Sequence, residues 1–112
     1  MREETFGPVL PVLHVDGFEE AMRRSNQSQY GLVATLFAND ARKVKQYMEE
    51  IQAGNVWVND PLIDNIPGPF GGMKRSGIGR ELGLEGLEEF FNTKHLHWEI
   101  EGGMKSWWYP WE

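Results

Sequence analysis

The chain has 112 residues, of which 11 are basic and 17 acidic, and it carries a net charge of −6 and no cysteine. This length holds one domain at most, and the acidic balance argues against a nucleic-acid partner. The lack of cysteine excludes disulfides, thiolate metal ligands and a thiol nucleophile among these residues. With no apolar run of membrane length and no signal peptide, we expect a cytoplasmic protein that makes no membrane contact.

Strands and helices are predicted to alternate over the first half of the chain. Residues 9–15, 30–38 and 55–59 are apolar runs of strand length, and Pro11 directs the first of them towards a sheet edge or a bulge. Asp16 and Glu19 predict a capping box for the helix between the first two runs. The resulting order, βαβαβ, predicts an α/β fold with parallel pairing through right-handed crossovers.

The second helix carries the strongest local signals. Asn39 and Asp40 provide an N-cap, and Gly54 is predicted to follow the helix C-terminus. Apolar side chains recur at positions i, i+3, i+4 and i+7, which gives the helix one apolar face: Val44, Tyr47, Met48 and Ile51.

Residues 67–83 form a glycine-rich stretch that is predicted to be neither helix nor strand. Ile78 and Gly79 stand where a phosphate loop needs Lys and Ser/Thr, and Gly83 comes one residue too late for a dinucleotide fingerprint. We therefore expect a shaped loop laid against a larger surface. Six glycines would permit positive φ or close backbone approach there: Gly68, Gly71, Gly72, Gly77, Gly79 and Gly83.

The end of the chain predicts a helix over residues 84–92 and a half-buried strand over residues 95–101, where apolar and polar side chains alternate. His95 and His97 share the polar face of that strand. Exposed histidines are favoured over a metal pair because no third ligand lies nearby. Gly102 and Gly103 break the strand, and a tail rich in tryptophan follows.

Three stretches, in the same order, resemble the NAD(P)-dependent aldehyde dehydrogenase superfamily. Glu3-Glu-Thr-Phe-Gly-Pro-Val9 is similar to its cofactor-contacting motif, and Tyr30-Gly-Leu32 with Gly54-Asn-Val-Trp-Val-Asn59 is similar to the strands that follow. The segment Pro69-Phe-Gly-Gly-Met-Lys-Arg-Ser-Gly-Ile-Gly-Arg-Glu-Leu-Gly83 resembles its C-terminal signature. The resemblance implies that residues 1–92 are the C-terminal part of the catalytic domain and residues 93–112 an oligomerisation strand with a tail.

The resemblance also implies what lies elsewhere. The catalytic cysteine, the general-base glutamate and the main cofactor domain would precede this chain, so the isolated chain is expected to be inactive. The cysteine count agrees, because the family's thiohemiacetal intermediate needs a thiolate. The implied cofactor is NAD or NADP. The implied partners are the missing N-terminal portion, a small aldehyde and further copies of the chain in a homodimer or larger assembly.

Six residues are candidates for site roles through the resemblance. Glu4 matches the glutamate that accepts hydrogen bonds from the nicotinamide ribose, and Phe6 matches an aromatic residue near the nicotinamide ring; a surface glutamate and a core phenylalanine are the alternatives. Glu81 matches a glutamate beside the active site that is linked to proton transfer, or it serves the start of the following helix. The substrate tunnel candidates are Asn59, Asp64 and Phe70.

These tunnel candidates also have simpler interpretations. Asn59 follows the third predicted strand, where α/β sites gather, but it could instead begin an Asx turn. Phe70 lies near the aldehyde tunnel in the family, or it plugs the loop. Asp64 departs from the aromatic or apolar residues often found there in the family. This leaves the substrate class open and admits a polar or cationic aldehyde such as betaine aldehyde. A stand-alone, non-catalytic assembly or binding module derived from such an enzyme is the alternative function.

Overall fold

The computed structural model describes residue 3 and residues 5–61, 63 and 65–108. Within this part of the chain, no helix is long and apolar enough to cross a membrane. The described residues form three helices and four short strands, in the order α1 (Phe18–Asn26), β1 (Tyr30–Gly31), β2 (Val33–Leu36), α2 (Ala41–Glu50), β3 (Asn55–Val58), β4 (Met73–Lys74) and α3 (Gly83–Glu88).

A β2–α2–β3 unit is the centre of the fold. β2 and β3 pair in parallel, from Val33 opposite Asn55 to Leu36 opposite Val58, and α2 is the crossover between them. This confirms the parallel pairing predicted for the second of the two crossovers. The core lies where α1 and α2 cover one face of this small sheet. Its buried residues are Met22, Tyr47, Ile51 and Ala53, packed against Phe18, Ala34, Leu36, Val56 and Val58.

The start of α2 confirms the sequence prediction, and its end does not. The Asp40 carboxylate accepts hydrogen bonds from the backbone N–H groups of Arg42 at 2.9 Å and Lys43 at 3.4 Å. Ile51 ends the helix in an extended conformation, with ψ 131°, so Gly54 is not the residue that stops it. Ile51 is buried, and its packing in the core accompanies this turn of the chain towards β3.

The capping box predicted for α1 is displaced by one residue. Gly17, with φ 103°, is the N-cap and supplies no side-chain cap. The backbone N–H of Asp16 donates to Glu20, not Glu19, at 2.9 Å. A positive φ at Gly17 adds one residue to the turn before the helix begins, which moves the reciprocal carboxylate one position along the chain.

The first predicted strand is absent, so the βαβαβ prediction was wrong at its start. Residues 9–15 form no strand within the described chain, and Leu10 and Val12 remain 88% and 87% exposed. Pro11 lacks an N–H for a ladder, and no described strand pairs with this segment. The run predicted over residues 30–38 is also divided, because β1 pairs with β4 in a separate antiparallel sheet.

The C-terminal elements are shorter than predicted. α3 ends at Glu88 instead of reaching residue 92, and residues 95–101 form no strand in the described chain. Leu96, Trp98 and Ile100 are each about 80% exposed. Alternation alone therefore did not produce a strand, because a strand also needs a neighbouring edge with which to pair. Gly102 and Gly103, predicted to end that strand, both have positive φ, but the described residues before them form no strand to end.

The whole chain exposes far more surface than a compact domain of its mass. Its accessible area is 10215 Å² for 12.9 kDa, whereas a folded monomer of this size exposes about 6,300 Å². Its radius of gyration is 22.5 Å, against about 13 Å for a compact chain of this length. The chain thus exposes roughly 3,900 Å² more than a compact monomer of the same mass. This excess is larger than the area that most single protein–protein interfaces bury.

Candidate functional site

The glycine-rich stretch contacts β1 and the start of β3, and part of it is a strand, although the sequence predicted neither helix nor strand there. Met73 and Lys74 form β4, which pairs antiparallel with β1. The backbone N–H of Gly31 donates to the Ser76 hydroxyl at 2.9 Å, and the N–H of Arg75 donates to the Gln29 carbonyl at 3.0 Å. These hydrogen bonds fasten the middle of the loop to β1.

Close approach, more than positive φ, explains the glycines of this loop. A Cβ on Gly54 would overlap the carbonyl oxygen of Gly71, and a Cβ on Gly72 would lie 2.6 Å from Cβ of Ser76. Of the six glycines singled out in the sequence, only Gly77 and Gly83 have positive φ. The loop therefore packs backbone against backbone, both with the residue that precedes β3 and between its own parts. Only glycine leaves room for these contacts.

Two polar side chains donate hydrogen bonds to backbone carbonyls of this loop. The Asn55 amide donates to the carbonyl of Gly71 at 3.0 Å and to that of Leu32 at 3.1 Å. The Arg80 guanidinium donates to the carbonyls of Gly72 and Gly79, both at 2.8 Å. Sequence reasoning missed both residues as clamps, although a polar residue opening an apolar strand was a signal for Asn55.

The structure brings Phe70 and Glu81 together through their backbones. The N–H of Phe70 donates to the carbonyl of Glu81 at 2.7 Å, and the N–H of Glu81 donates to the carbonyl of Phe70 at 2.8 Å. The loop between them is closed at its base by this pair. Phe70 is half-buried and Glu81 is exposed, so Phe70 contributes to the packing and the Glu81 side chain reaches solvent.

Phe70 lines an open cavity of about 320 Å³ beside β3. Trp57, Ile63 and Leu82 contribute further apolar surface, and Asn65 contributes an amide. This size and lining suit a small, uncharged part of a ligand. Trp57 was not singled out from the sequence, because a tryptophan in an apolar strand is indistinguishable from a core residue until its exposed face is known.

Asn59 does not line the cavity beside β3, and its amide already has hydrogen-bond partners. It donates to the carbonyl of Ala38 and accepts from the N–H of the same residue, both at 2.9 Å. Its backbone is left-handed, with φ 59°. In place of the Asx turn that was the alternative interpretation, the Asn59 amide makes a contact across the sheet.

The remaining candidates are dispersed. Glu4 and Asp64 lie outside the described residues. Phe6 is 88% exposed and does not line the cavity beside β3, so it is not brought together with Phe70 in this structure. His95 and His97 are exposed, and the described residues contain no group of three side chains able to hold a metal ion.

A larger groove, of about 1000 Å³, lies beside α1, α2 and β2. Glu3 lies at this groove together with Tyr30, Thr35, Tyr47 and Ser76. Tyr47 is 5% exposed, and burial raises the pKa of its phenol. Its hydroxyl has no hydrogen-bond partner among the described residues.

Comparison with known proteins gives a consistent answer. The model of the aldehyde dehydrogenase family matches residues 1–96. Aldehyde dehydrogenase [NAD(P)+] 1 of Saccharomyces cerevisiae is 38% identical over 97 residues, which cover 87% of this chain and 19% of that protein. Betaine aldehyde dehydrogenase of Mesorhizobium japonicum is 41% identical over 98 residues, which cover 88% of this chain and 20% of that protein.

Solved structures show the same relationship. The crystal structure of betaine aldehyde dehydrogenase from Staphylococcus aureus in complex with NAD+ superposes with a TM-score of 0.82 at 40% identity, covering 95% of this chain and 21% of that chain. A lactaldehyde dehydrogenase superposes with a TM-score of 0.78 at 33% identity. The chain therefore spans about a fifth of the length of the relatives that it matches.

Proposed function

Since this chain belongs to the aldehyde dehydrogenase family, we propose that it is the C-terminal part of an NAD(P)-dependent enzyme that oxidises an aldehyde to a carboxylic acid. The match to the family over residues 1–96, with coverage of only a fifth of each relative, carries this proposal. The chain's own contribution is to contact the nicotinamide end of the cofactor, to form part of the aldehyde tunnel and to join subunits.

The described residues do not form a dinucleotide site by themselves. Neither cavity is lined by a cationic side chain that could match a pyrophosphate, and Phe6 offers only one exposed aromatic face. Glu4 and Phe6 would contact the nicotinamide riboside, and the rest of the cofactor would be held by the N-terminal portion. NAD+ is present in the structure of the S. aureus relative.

The tunnel wall is assigned to Phe70 and the cavity beside β3. Trp57 and Leu82 give that cavity an apolar lining. Through the resemblance, Asp64 is assigned to the same tunnel, where it would admit a polar or cationic aldehyde. Asn59 would act by fixing the end of β3, since its amide is bound to Ala38. Glu81 is left exposed beside the base of the loop, where it could serve a proton relay.

Subunit contact is assigned to residues 93–112. Leu96, Trp98 and Ile100 are alternate apolar side chains, each about 80% exposed. A segment of this pattern can form a strand when it pairs with the sheet edge of a neighbouring subunit. Trp107 and Trp108 pack edge to face, with ring centroids 5.9 Å apart, and add more exposed apolar area. A homodimer or larger assembly would cover this surface.

The isolated chain is proposed to be inactive. Aldehyde oxidation through a thiohemiacetal needs a cysteine thiolate, and the chain has no cysteine. Incubation of the chain with NAD or NADP and a panel of aldehydes should therefore give no cofactor reduction above a buffer blank. Turnover that survives repurification would contradict this assignment.

A chimera tests the proposed function directly. The segment of S. aureus betaine aldehyde dehydrogenase that superposes on this chain is replaced by the chain, and NAD+ reduction is measured with betaine aldehyde. We expect the chimera to be active and the same enzyme without the segment to be inactive. A folded chimera that binds NAD+ but does not reduce it would instead favour a non-catalytic assembly module, to which the large uncovered surface would be suited.

A further inference from the structure

The carbonyl of Gly71 is the point where the glycine-rich stretch meets β3. Gly71 directly follows Phe70, which lines the cavity beside β3. The carbonyl oxygen of Gly71 lies where a Cβ on Gly54 would be. It also accepts a hydrogen bond of 3.0 Å from the side-chain amide of Asn55, the first residue of β3. The position of this peptide group therefore determines where the neighbouring Phe70 lies relative to β3.

The side-chain amide of Asn55 is itself fixed to the strands. Its nitrogen also donates to the Leu32 carbonyl at 3.1 Å, and the backbone N–H of Asn55 donates to the same carbonyl at 3.0 Å. The two N–H groups of the amide are thus directed at two backbone carbonyls. Although Asn55 lines the cavity beside β3, its amide has no N–H group left to donate to a ligand there.

The other hydrogen bonds near Phe70 do not connect it to β3. The N–H and the carbonyl of Phe70 both pair with Glu81, which belongs to the same glycine-rich stretch. Further along, the Ser76 hydroxyl and β4 attach the stretch to β1. Among the residues that the structure describes, the hydrogen bond from Asn55 to Gly71 is the one that joins this stretch to β3.

We propose that Asn55 is a positioning residue for the aldehyde. By holding the Gly71 carbonyl, its amide fixes Phe70 relative to the β3 residues that line the same cavity, such as Trp57. A loop that moved away from β3 would offer the aldehyde fewer contacts with this wall, so the enzyme would bind it less tightly. This inference rests on the proposed function, which assigns the cavity to the aldehyde tunnel.

Asn55→Ala in the S. aureus chimera tests the proposal through the KM for betaine aldehyde. We expect this KM to rise roughly two- to tenfold, the range of one hydrogen bond, with the KM for NAD+ and kcat close to those of the unsubstituted chimera. Asn55→Asp keeps the shape of the side chain but not its donors, so it should act in the same way. In a chimera that already carries Phe70→Ala, Asn55→Ala should add little, because the side chain that it positions is gone.

Asn26→Ala is the matched control. The Asn26 amide also joins two backbone groups of a distant segment, since it donates to the Glu50 carbonyl at 2.9 Å and accepts from the Gln52 N–H at 2.8 Å. None of these three residues lines the cavity beside β3. Asn26→Ala should lower the urea midpoint, as Asn55→Ala does, but leave the KM for betaine aldehyde unchanged. An equal rise of this KM in both variants would show a general loss of stability and overturn the inference.

Hydrogen exchange in the isolated chain is a second measurement, which does not depend on the chimera. Asn55→Ala should speed exchange at the Phe70 and Glu81 amides more than at the Val44 amide in α2, which donates to the Asp40 carbonyl at 2.9 Å. Equal acceleration at all three amides, or an unchanged KM in an active chimera, would overturn the inference and leave the proposed function intact. A folded chimera that reduces no NAD+ would refute the proposed function instead.

Discussion

The side-chain amide of Asn59 and the backbone of Ala38 form two hydrogen bonds, each 2.9 Å long, across the ends of β2 and β3. The backbone N–H of Asn59 also donates to the carbonyl of Leu36 at 2.8 Å. The amide thus acts as an extra peptide group that prolongs the parallel ladder beyond Val58. It holds the point where the chain leaves β3 for the segment that leads to Phe70.

Substitution of Asn59 separates the amide contribution from the backbone contribution. Asn59→Gly keeps the left-handed backbone and removes the amide, so we expect a loss of about 1 kcal/mol in the free energy of unfolding. Asn59→Ala should lose about 1 kcal/mol more, because φ 59° is unfavourable for alanine. Urea unfolding followed by tryptophan fluorescence measures both, with Asp60→Ala as the exposed neighbouring control. Equal midpoints for Asn59→Gly and the wild type would contradict this role.

Gly54 is predicted to be intolerant of any side chain. Gly54→Ala would place Cβ on the carbonyl oxygen of Gly71, a backbone atom that cannot move without lifting the loop from β3. We expect destabilisation of about 1–3 kcal/mol and faster hydrogen exchange at the amides of Phe70 and Glu81. Gly68→Ala is the control, since its Cβ would lie 3.3 Å from the carbonyl oxygen of Asn65, a contact that a small local shift relieves. Similar losses for the two variants would show that contact with Gly71 is not the cause.

Glu20 predicts a small acid-dependent loss of stability. A hydrogen bond from the Asp16 N–H, together with the Arg24 and Arg23 guanidinium groups, lowers the pKa of this carboxyl below its ordinary value of 4.5. Because the pKa is lower in the folded state, the stabilisation is present above pH 4.5 and is lost as the pH falls through the folded-state value.

Thermal unfolding between pH 7 and pH 3 measures this contribution of Glu20. Glu20→Gln should unfold at a lower temperature than the wild type at pH 7, and the gap should narrow in acid. Glu49→Gln, which alters only the more exposed pair with Lys45 at 3.8 Å, should show little gap at any pH. A Glu20→Gln gap that stays constant across this range would refute the assignment.

Self-association is predicted to depend on residues 93–112. Burial of one large apolar side chain is worth roughly 1.5–3 kcal/mol, and Leu96, Trp98, Ile100 and Trp107 are all at least 78% exposed. Light scattering should find a dimer or larger species for the full chain, and a smaller species after truncation behind Asn92. A monodisperse monomer of the full chain well above micromolar concentration would overturn this prediction. An unchanged oligomer after truncation would place the interface elsewhere.

Glu4 is predicted to act on the chemical step of the chimera. Glu4→Gln weakens the acceptor proposed for the ribose hydroxyls, and a misplacement of about 1 Å can slow a reaction on the order of a hundredfold. Single-turnover reduction of NAD+ should slow, whereas Glu3→Gln should leave it unchanged. Kinetic constants equal to those of the unsubstituted chimera would remove Glu4 from the cofactor site.

Local sequence signals were sufficient where the physical cause is also local. The Asp40 carboxylate caps a helix whose N–H groups lie two and three residues away, so its role is set within a single turn. The apolar spacing of Tyr47 and Ile51 likewise predicted which face of α2 enters the core. The motif that contains Phe70 and Glu81 was sufficient to indicate the family, because all of its residues lie in one continuous segment of the chain.

Tertiary structure alone decided the roles that depend on a distant partner. Asn59 bonds a residue 21 positions away, and the need for glycine at position 54 comes from a carbonyl 17 positions away. Residues 9–15 and 95–101 have the composition of strands, yet neither is a strand in the described chain. An apolar, alternating segment is able to pair with a sheet edge. Whether such an edge lies next to it depends on the rest of the folded protein.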